Sequence, residues 1–210
     1  MLYYMDVSEL DFNIVKSALS KERIKKSNRY FHQKDRNLSI GVEFLLKHVL
    51  SKSGIRDPLF DIDRYGKPYL KNYQDIYFNL SHSENYVACA VSDSPIGVDI
   101  EYIHDIDLNV ANQYFFDSEY EYIINKKNKQ KAFFELWVLK ESYMKMTGLG
   151  FRLPLNEFCI KIDDEIKIIH NENTCKLGLW NVVGGKYMLG VCSKSRITGP
   201  KLINLQDMGN

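Results

Sequence analysis

The chain has 210 residues, of which 45% are hydrophobic and 26% charged, and its 28 basic and 27 acidic side chains leave a formal net charge of +1. That length holds one large or two small domains, each able to bury a core, and excludes a peptide hormone or a small disulfide-stapled module. The near-balance of charge excludes overall disorder and a strongly basic protein that coats nucleic acid. In chain order, the opening MLYYMDVSEL has neither a basic n-region nor an unbroken apolar h-region, so the expectation is a chain that is not secreted. Residues 2–7 suit a strand, and Ser8 and Ser20 are expected as helix caps, with Asp11 and Arg23 three residues on. Over 37–50, Leu38, Val42, Leu45, Leu46, Val49 and Leu50 recur at helical spacing, which predicts a buried amphipathic helix.

Arg64-Tyr65-Gly66-Lys67-Pro68 is turn chemistry, 76–82 and 86–92 read as two strands joined by Ser83-Glu84-Asn85, and Ser94-Pro95 turns the chain into a strand over 96–102. The second half starts with 108–116, passes a Lys-rich break at 125–131, and resumes as a helix over 132–147 that Gly148 and Gly150 end. Alternating segments at 158–162, 166–169, 177–183 and 187–193 predict an antiparallel sheet, with Val183-Gly184-Gly185-Lys186 as a turn. Each half offers a long helix and several strands, so the fold class is α+β, with halves 1–102 and 103–210. No stretch nears the ~20 apolar residues of a membrane span. Cys89, Cys159, Cys175 and Cys192 contain no Cys-x-x-Cys pair and read as reduced core residues of a cytosolic protein.

Four segments carry chemistry. In Gly97-Val98-Asp99-Ile100-Glu101, strand alternation puts Asp99 and Glu101 on one face about 7 Å apart. Such a pair suits magnesium, and it also describes a solvent-facing edge strand. Trp137, Glu141 and Lys145 fall at i, i+4 and i+8 of the predicted helix, where carboxylate and ammonium either face one site together or form an ordinary surface pair. In Asn79-Leu80-Ser81-His82-Ser83 a hydroxyl and an imidazole can donate to a phosphate, or the histidine is a structural strand-end residue. No hydrolase is implied, since Gly-x-Ser-x-Gly is absent. The basic run of Lys21, Arg23, Lys25, Lys26, Arg29, Lys34 and Arg36 reads as a solvated helix face or a polyanion site, but no nucleic-acid motif accompanies it. Tyr114, Phe115, Phe116 and Tyr120, followed by Lys126, Lys127, Lys129 and Lys131, are either a docking patch for an acidic partner or core aromatics and a flexible loop.

Taken in order, Tyr65-Gly66-Lys67-Pro68, Asn79-Leu80-Ser81-His82-Ser83, Ile96-Gly97-Val98-Asp99-Ile100-Glu101 and Trp137-x-x-Lys140-Glu141-Ser142-x-x-Lys145 closely resemble the 4'-phosphopantetheinyl transferase superfamily, in its larger surfactin-synthetase-activating type. The resemblance implies a pseudo-twofold pair of α+β halves with coenzyme A in the cleft between them. It also implies magnesium-dependent transfer of the phosphopantetheine arm of coenzyme A to a serine of an apo acyl or peptidyl carrier protein, releasing adenosine 3',5'-bisphosphate. By motif, Asp99, Glu101 and Glu141 would be the metal carboxylates, Lys145 would meet the pyrophosphate, Ser81 and His82 the coenzyme A phosphates, and Lys67 the nucleotide region. Arg23, Lys26 and Ser39 would line the pocket for the ribose 3'-phosphate, where Leu38 departs from the family's basic residue. Glu119 stands at the family's Phe-x-x-x-Glu-like position as candidate base, and equally as a helix-start acid. The implied enzyme is a cytoplasmic monomer without nucleic-acid or membrane partners. A non-catalytic module that only holds coenzyme A or a carrier is the alternative.

Overall fold

The protein is described by a computed structural model covering residues 1–170 and 174–208. It begins with strand β1 (Leu2–Asp6) and the short helix α1 (Phe12–Val15). Asp11 caps α1 by accepting from the Asn13 amide; Ser8, expected as a cap, lies too far upstream of the first helical residue to do so. Ser20 does cap α2 (Lys21–Ser27), accepting from the Arg23 amide. The predicted amphipathic helix is α3 (Gln33–Lys52), followed by a short hairpin of β2 (Phe60–Ile62) and β3 (Pro68–Leu70) around the Gly66 turn. Strands β4 (Tyr77–Ser83), β5 (Tyr86–Ser92) and β6 (Ile96–Tyr102) come next.

Two short helices, α4 (Asn109–Tyr114) and α5 (Asp117–Ile124), precede the long α6 (Lys129–Thr147). Helix α6 starts earlier than expected, because the Asn128 side chain accepts from the Lys131 amide and draws part of the lysine run into the first turn. Gly148 closes it in the left-handed conformation that a β-carbon disfavours. The remaining strands are β7 (Cys159–Ile162), β8 (Ile166–Ile169), β9 (Lys176–Val182), β10 (Tyr187–Ser193) and β11 (Lys201–Leu202).

These strands form two main sheets, ordered β11-β1-β5-β4 and β6-β10-β9. Their connection order is shared: a strand leads to the long helix, then to a hairpin whose second strand pairs back on the first. Strand β6 pairs with β10 in full register, Ile96 opposite Ser193 through Tyr102 opposite Tyr187. The sheet therefore changes at Ser94-Pro95, ahead of the division expected at residue 102.

Three buried clusters hold the layers together. Helix α3 packs Leu45, Leu46, Val49 and Leu50 on Met5, Phe78, Val87 and Cys89 of the first sheet. Helix α6 packs Phe133, Leu136, Leu139 and Met146 with Met188 and Cys192 of the second. Between the sheets, Ala88 and Ala90 meet Val98, Ile100, Leu189 and Val191. Helix α6 lies directly on its sheet through two glycines. A β-carbon at Gly97 would come 1.9 Å from the Ser142 carbonyl oxygen, and one at Gly190 would come 2.6 Å from that of Val138.

The seam between the sheets has an unusual construction. Among the described residues no backbone hydrogen bond joins β4 to β6. Alternate side chains of β4 bridge the gap instead: Asn79 Oδ1 accepts from the Val98 amide at 2.9 Å, Ser81 Oγ donates to Asp99 at 2.8 Å, and Ser83 Oγ donates to Glu101 at 2.7 Å.

Candidate functional site

Alternation along β6 puts Gly97, Asp99 and Glu101 on one face, and the contact of Gly97 with α6 fixes that face toward the helix. Helix α6 contributes Glu141 and Lys145, one turn apart. Asp99 is only 2% exposed, so the edge-strand reading of the acidic pair does not hold. Its Oδ1 accepts from Lys145 Nζ at 2.7 Å and from Ser81 Oγ at 2.8 Å, while Lys145 also donates to Ser81 at 3.1 Å. Lys145 thus reaches across to β6 and is not engaged in a surface pair with Glu141.

The other oxygen, Asp99 Oδ2, is buried and has no partner among the described residues. A buried carboxylate oxygen left this way costs stability unless a ligand or ion supplies its contact. Burial, and after it the charge of Asp99, push the Glu101 carboxyl up to about 7; the Ser83 hydrogen bond and Lys145 pull the other way. The same two causes, burial and Asp99, raise Glu141, opposed by Lys145. Three acids thus crowd one spot with a single ammonium among them, an arrangement that favours a further cation or proton. Among the described residues no three His, Cys, Asp or Glu side chains are close enough together to ligate one ion as they stand.

A basic pocket lies beside this cluster. Arg23, Lys26, Ser39 and His82, with Leu38, line a cavity of about 110 Å³. Arg23 and Lys26 also line a larger cavity of about 640 Å³, walled by Phe60, Pro68, Phe78 and Leu80. The guanidinium of Arg23 is held from behind: Nε donates to Glu43 at 3.0 Å and Nη1 to Ser39 at 3.3 Å. Despite its burial, Glu43 is held below the usual carboxylate range by bonds from the Ser20 backbone, Arg23 and Lys47. The His82 imidazole is pulled below its ordinary value, first by burial and then by Lys145, which favours its neutral form.

Two expected residues are placed otherwise. Lys67 does not face these cavities; its Nζ donates to the carbonyls of Lys145 at 2.5 Å and Met146 at 3.2 Å, and burial pulls its pKa down to about 8. The last carbonyls of α6 have no partner within the helix, so an ammonium is drawn to them. Glu119, the candidate base, is 1% exposed. One oxygen accepts from the Phe116 amide at 2.9 Å and Lys140 Nζ at 2.8 Å, the other from the Ile160 amide at 2.7 Å. With both oxygens bonded inside the core, it cannot take a proton from a solvent-borne substrate, and the helix-start reading is the one realised. Lys140, fully buried, completes its shell with the carbonyls of Leu155 and Phe158.

The aromatic segment divides. Phe115 is core, stacked on Phe133 and Trp137, and Tyr120 packs against the same cluster, while Tyr114 and Phe116 are exposed. Sequence reasoning missed Glu43 and Ser83 as orienting residues. Glu43 follows Ser39 by one turn as a charge inside the apolar face of α3, and that interruption was the available signal. Ser83 was read as part of a turn.

A family model described as the 4'-phosphopantetheinyl transferase superfamily matches residues 95–192, and one described as 4'-phosphopantetheinyl transferase, N-terminal, matches residues 6–94. The chain is 39% identical to 4'-phosphopantetheinyl transferase gsp of Aneurinibacillus migulanus over 82% of this chain and 76% of that one. It is 32% identical to 4'-phosphopantetheinyl transferase Sfp of Bacillus subtilis strain 168 over 90% of this chain and 89% of that one. Among solved structures, holo-[acyl-carrier-protein] synthase of Thermotoga maritima aligns with a TM-score of 0.42 at 12% identity, covering 48% of this chain and 62% of that one.

Proposed function

The chain belongs to the 4'-phosphopantetheinyl transferase superfamily, and from that premise we infer that it transfers the 4'-phosphopantetheine arm of coenzyme A to a serine of an apo acyl or peptidyl carrier protein. The observation that carries the reading is the meeting of Asp99, Glu101, Glu141 and Lys145 at the seam, next to the basic pocket of Arg23, Lys26, Ser39 and His82. A pyrophosphate bridging a phosphorylated nucleoside and a neutral arm needs such a pairing of charge along its length. The shared connection order of the two sheets supports a pair of similar halves dividing near residues 94 and 95, with the coenzyme in the cleft between them.

In the transfer, the serine oxygen forms a bond to the phosphorus that bears the pantetheine arm, and the bond from that phosphorus to the bridging oxygen breaks. Adenosine 3',5'-bisphosphate leaves with the electron pair. Glu141, beside Asp99 and Lys145, accepts the serine proton. Lys145 faces the departing phosphate, and Arg23 and Lys26 hold the 3'-phosphate despite Leu38, supplying the positive charge that position lacks. Glu119, tied to Lys140 and to the Phe116 and Ile160 amides, has no part in this proton transfer.

Asp99, Glu101 and Glu141 would hold magnesium, and the unpartnered Asp99 Oδ2 supports that fit, since hard oxygen donors suit this ion. When bound, magnesium neutralises charge on the pyrophosphate. Both sheets flanking the site come from one chain, so a monomer suffices. We place it in the cytoplasm; among the described residues no helix is long and apolar enough to cross a membrane.

The test is mass spectrometry of an apo carrier protein incubated with this protein, coenzyme A and magnesium. A gain of the phosphopantetheine mass is expected, abolished in Asp99→Ala while that variant keeps its fold by circular dichroism. No gain across acyl and peptidyl carriers would favour the binding-only alternative.

A further inference from the structure

Two of the four cysteines stand in a relation that the transfer chemistry does not use. Cys192, on β10, is fully buried, and its Sγ lies 3.1 Å from Sγ of Cys175 and 3.5 Å from Sδ of Met146. Cys175 directly precedes β9, where Leu177 is the register partner of Cys192. Cys175 is therefore the diagonal neighbour of Cys192 on the same face, a relation within reach across an antiparallel pair. It is also half-buried, whereas Cys89, Cys159 and Cys192 are buried. Among the described residues no other two thiols are in contact.

We propose that Cys175 and Cys192 are a disulfide-forming pair, with Cys175 as the entry thiol and Cys192 as the resolving one, oxidised by a low-molecular-weight disulfide. The sulfur atoms need to close by only roughly 1 Å to reach the ~2.05 Å of a disulfide. The asymmetry of the pair sets the order of events. Cys175 is held below its ordinary pKa by the hydrogen bond from Cys192 and, against the effect of burial, by Lys194, and it is only half-buried. Cys192 is raised, first by that same hydrogen bond and then by burial, and is shielded.

In the first step the Cys175 thiolate attacks one sulfur of the small disulfide; a mixed disulfide forms on Cys175 and one small thiolate leaves. In the second, Cys192 Sγ attacks Cys175 Sγ, the Cys175 bond to the small thiol breaks, and the Cys192 proton goes to the departing thiolate. The two thiols are oxidised, and one equivalent of small disulfide is reduced to two thiols. An excess of small thiol reverses both steps.

Oxidised glutathione is the probe, with intact-mass spectrometry, thiol titration and peptide mapping on the whole protein. The wild type is expected to fall from four titratable thiols to two, to lose the mass of two hydrogens without retaining an adduct, and to yield one crosslinked peptide pair joining Cys175 to Cys192. Dithiothreitol should restore all four. Cys192→Ala should trap glutathione on Cys175, and Cys175→Ser, which leaves the buried strand untouched, should take up neither adduct nor crosslink at Cys192. A stable glutathione adduct on the wild type would overturn the proposal. So would a crosslink involving Cys89 or Cys159, or a wild type left with four thiols under conditions that modify Cys192→Ala.

Discussion

Alanine at Gly97 would put a methyl carbon 1.9 Å from the Ser142 carbonyl oxygen and 2.5 Å from the Met146 amide nitrogen, both backbone atoms of α6. No side-chain rotation relieves such a clash, so the helix must back away. Reaching 3.4 Å, where ordinary contact begins, requires a shift of roughly 1.5 Å at that turn. Overpacking of this kind costs about 1–3 kcal/mol, which for a chain of this size lowers Tm by several degrees. The larger effect falls on chemistry, because α6 carries Glu141 and Lys145 while β6 carries Asp99. A displacement of about 1 Å in reacting geometry is worth roughly 100-fold in rate. The assay is initial rate of carrier modification well below the variant's Tm, with circular dichroism to establish that it is folded. We expect kcat to fall about 100-fold. A folded Gly97→Ala protein with wild-type turnover would refute the idea that the glycine contact sets the distance between helix and strand carboxylates.

Lys145→Ala should lower kcat more than it raises KM for coenzyme A, because an ammonium facing the departing phosphate counts most as that bond breaks; a change confined to KM would make it a ground-state binder. Lys140→Met leaves Glu119 charged and uncompensated in the core, at a cost of about 3–5 kcal/mol in urea denaturation, whereas the double variant with Glu119→Gln should recover more than half of it. Strict additivity in that cycle would mean the two side chains do not act as a pair. Replacing Lys126, Lys127, Lys129 and Lys131 by glutamine should slow carrier modification at low salt and leave coenzyme A binding unchanged. Lys131 is the least consequential of the four, being partly neutralised by Glu135 at 3.8 Å. A variant whose salt dependence matches the wild type would move the docking surface elsewhere.

Elements with a strong period were legible. The strands over 96–102, 166–169 and 187–193 coincide with β6, β8 and β10, the first marked by alternation and the other two by short apolar runs bounded by polar or glycine residues. Helix α3 was visible from its apolar stripe. What the sequence could not display was partnership. Nothing local to 96–102 distinguishes pairing with β5 from pairing with β10, and β11, two residues long, carries too little pattern to register. The acidic pair and the Glu-Lys stripe were found from spacing, and family resemblance predicted their meeting. Between the two readings of Glu119 sequence could not choose, because its partner Ile160 is 41 residues away, and the placement of Lys67 was hidden because its acceptors are the carbonyls of a helix end distant in sequence.

Where strands are joined by a ladder, their spacing is imposed by the peptide group and is nearly indifferent to which residues are present. At the seam of this protein, beside the apolar contact of Ala88 and Ala90 with Val98 and Ile100, the spacing of β4 from β6 is written in three side chains, Asn79, Ser81 and Ser83. Width there is consequently an inheritable trait, open to adjustment one substitution at a time. Exchanging a serine for threonine or asparagine alters how far Asp99 and Glu101 stand from the opposite sheet without breaking a strand in either half. A lineage fitting itself to a bulkier or leaner acceptor thus has three dials on the aperture, each outside the clusters that α3 and α6 build on their own sheets.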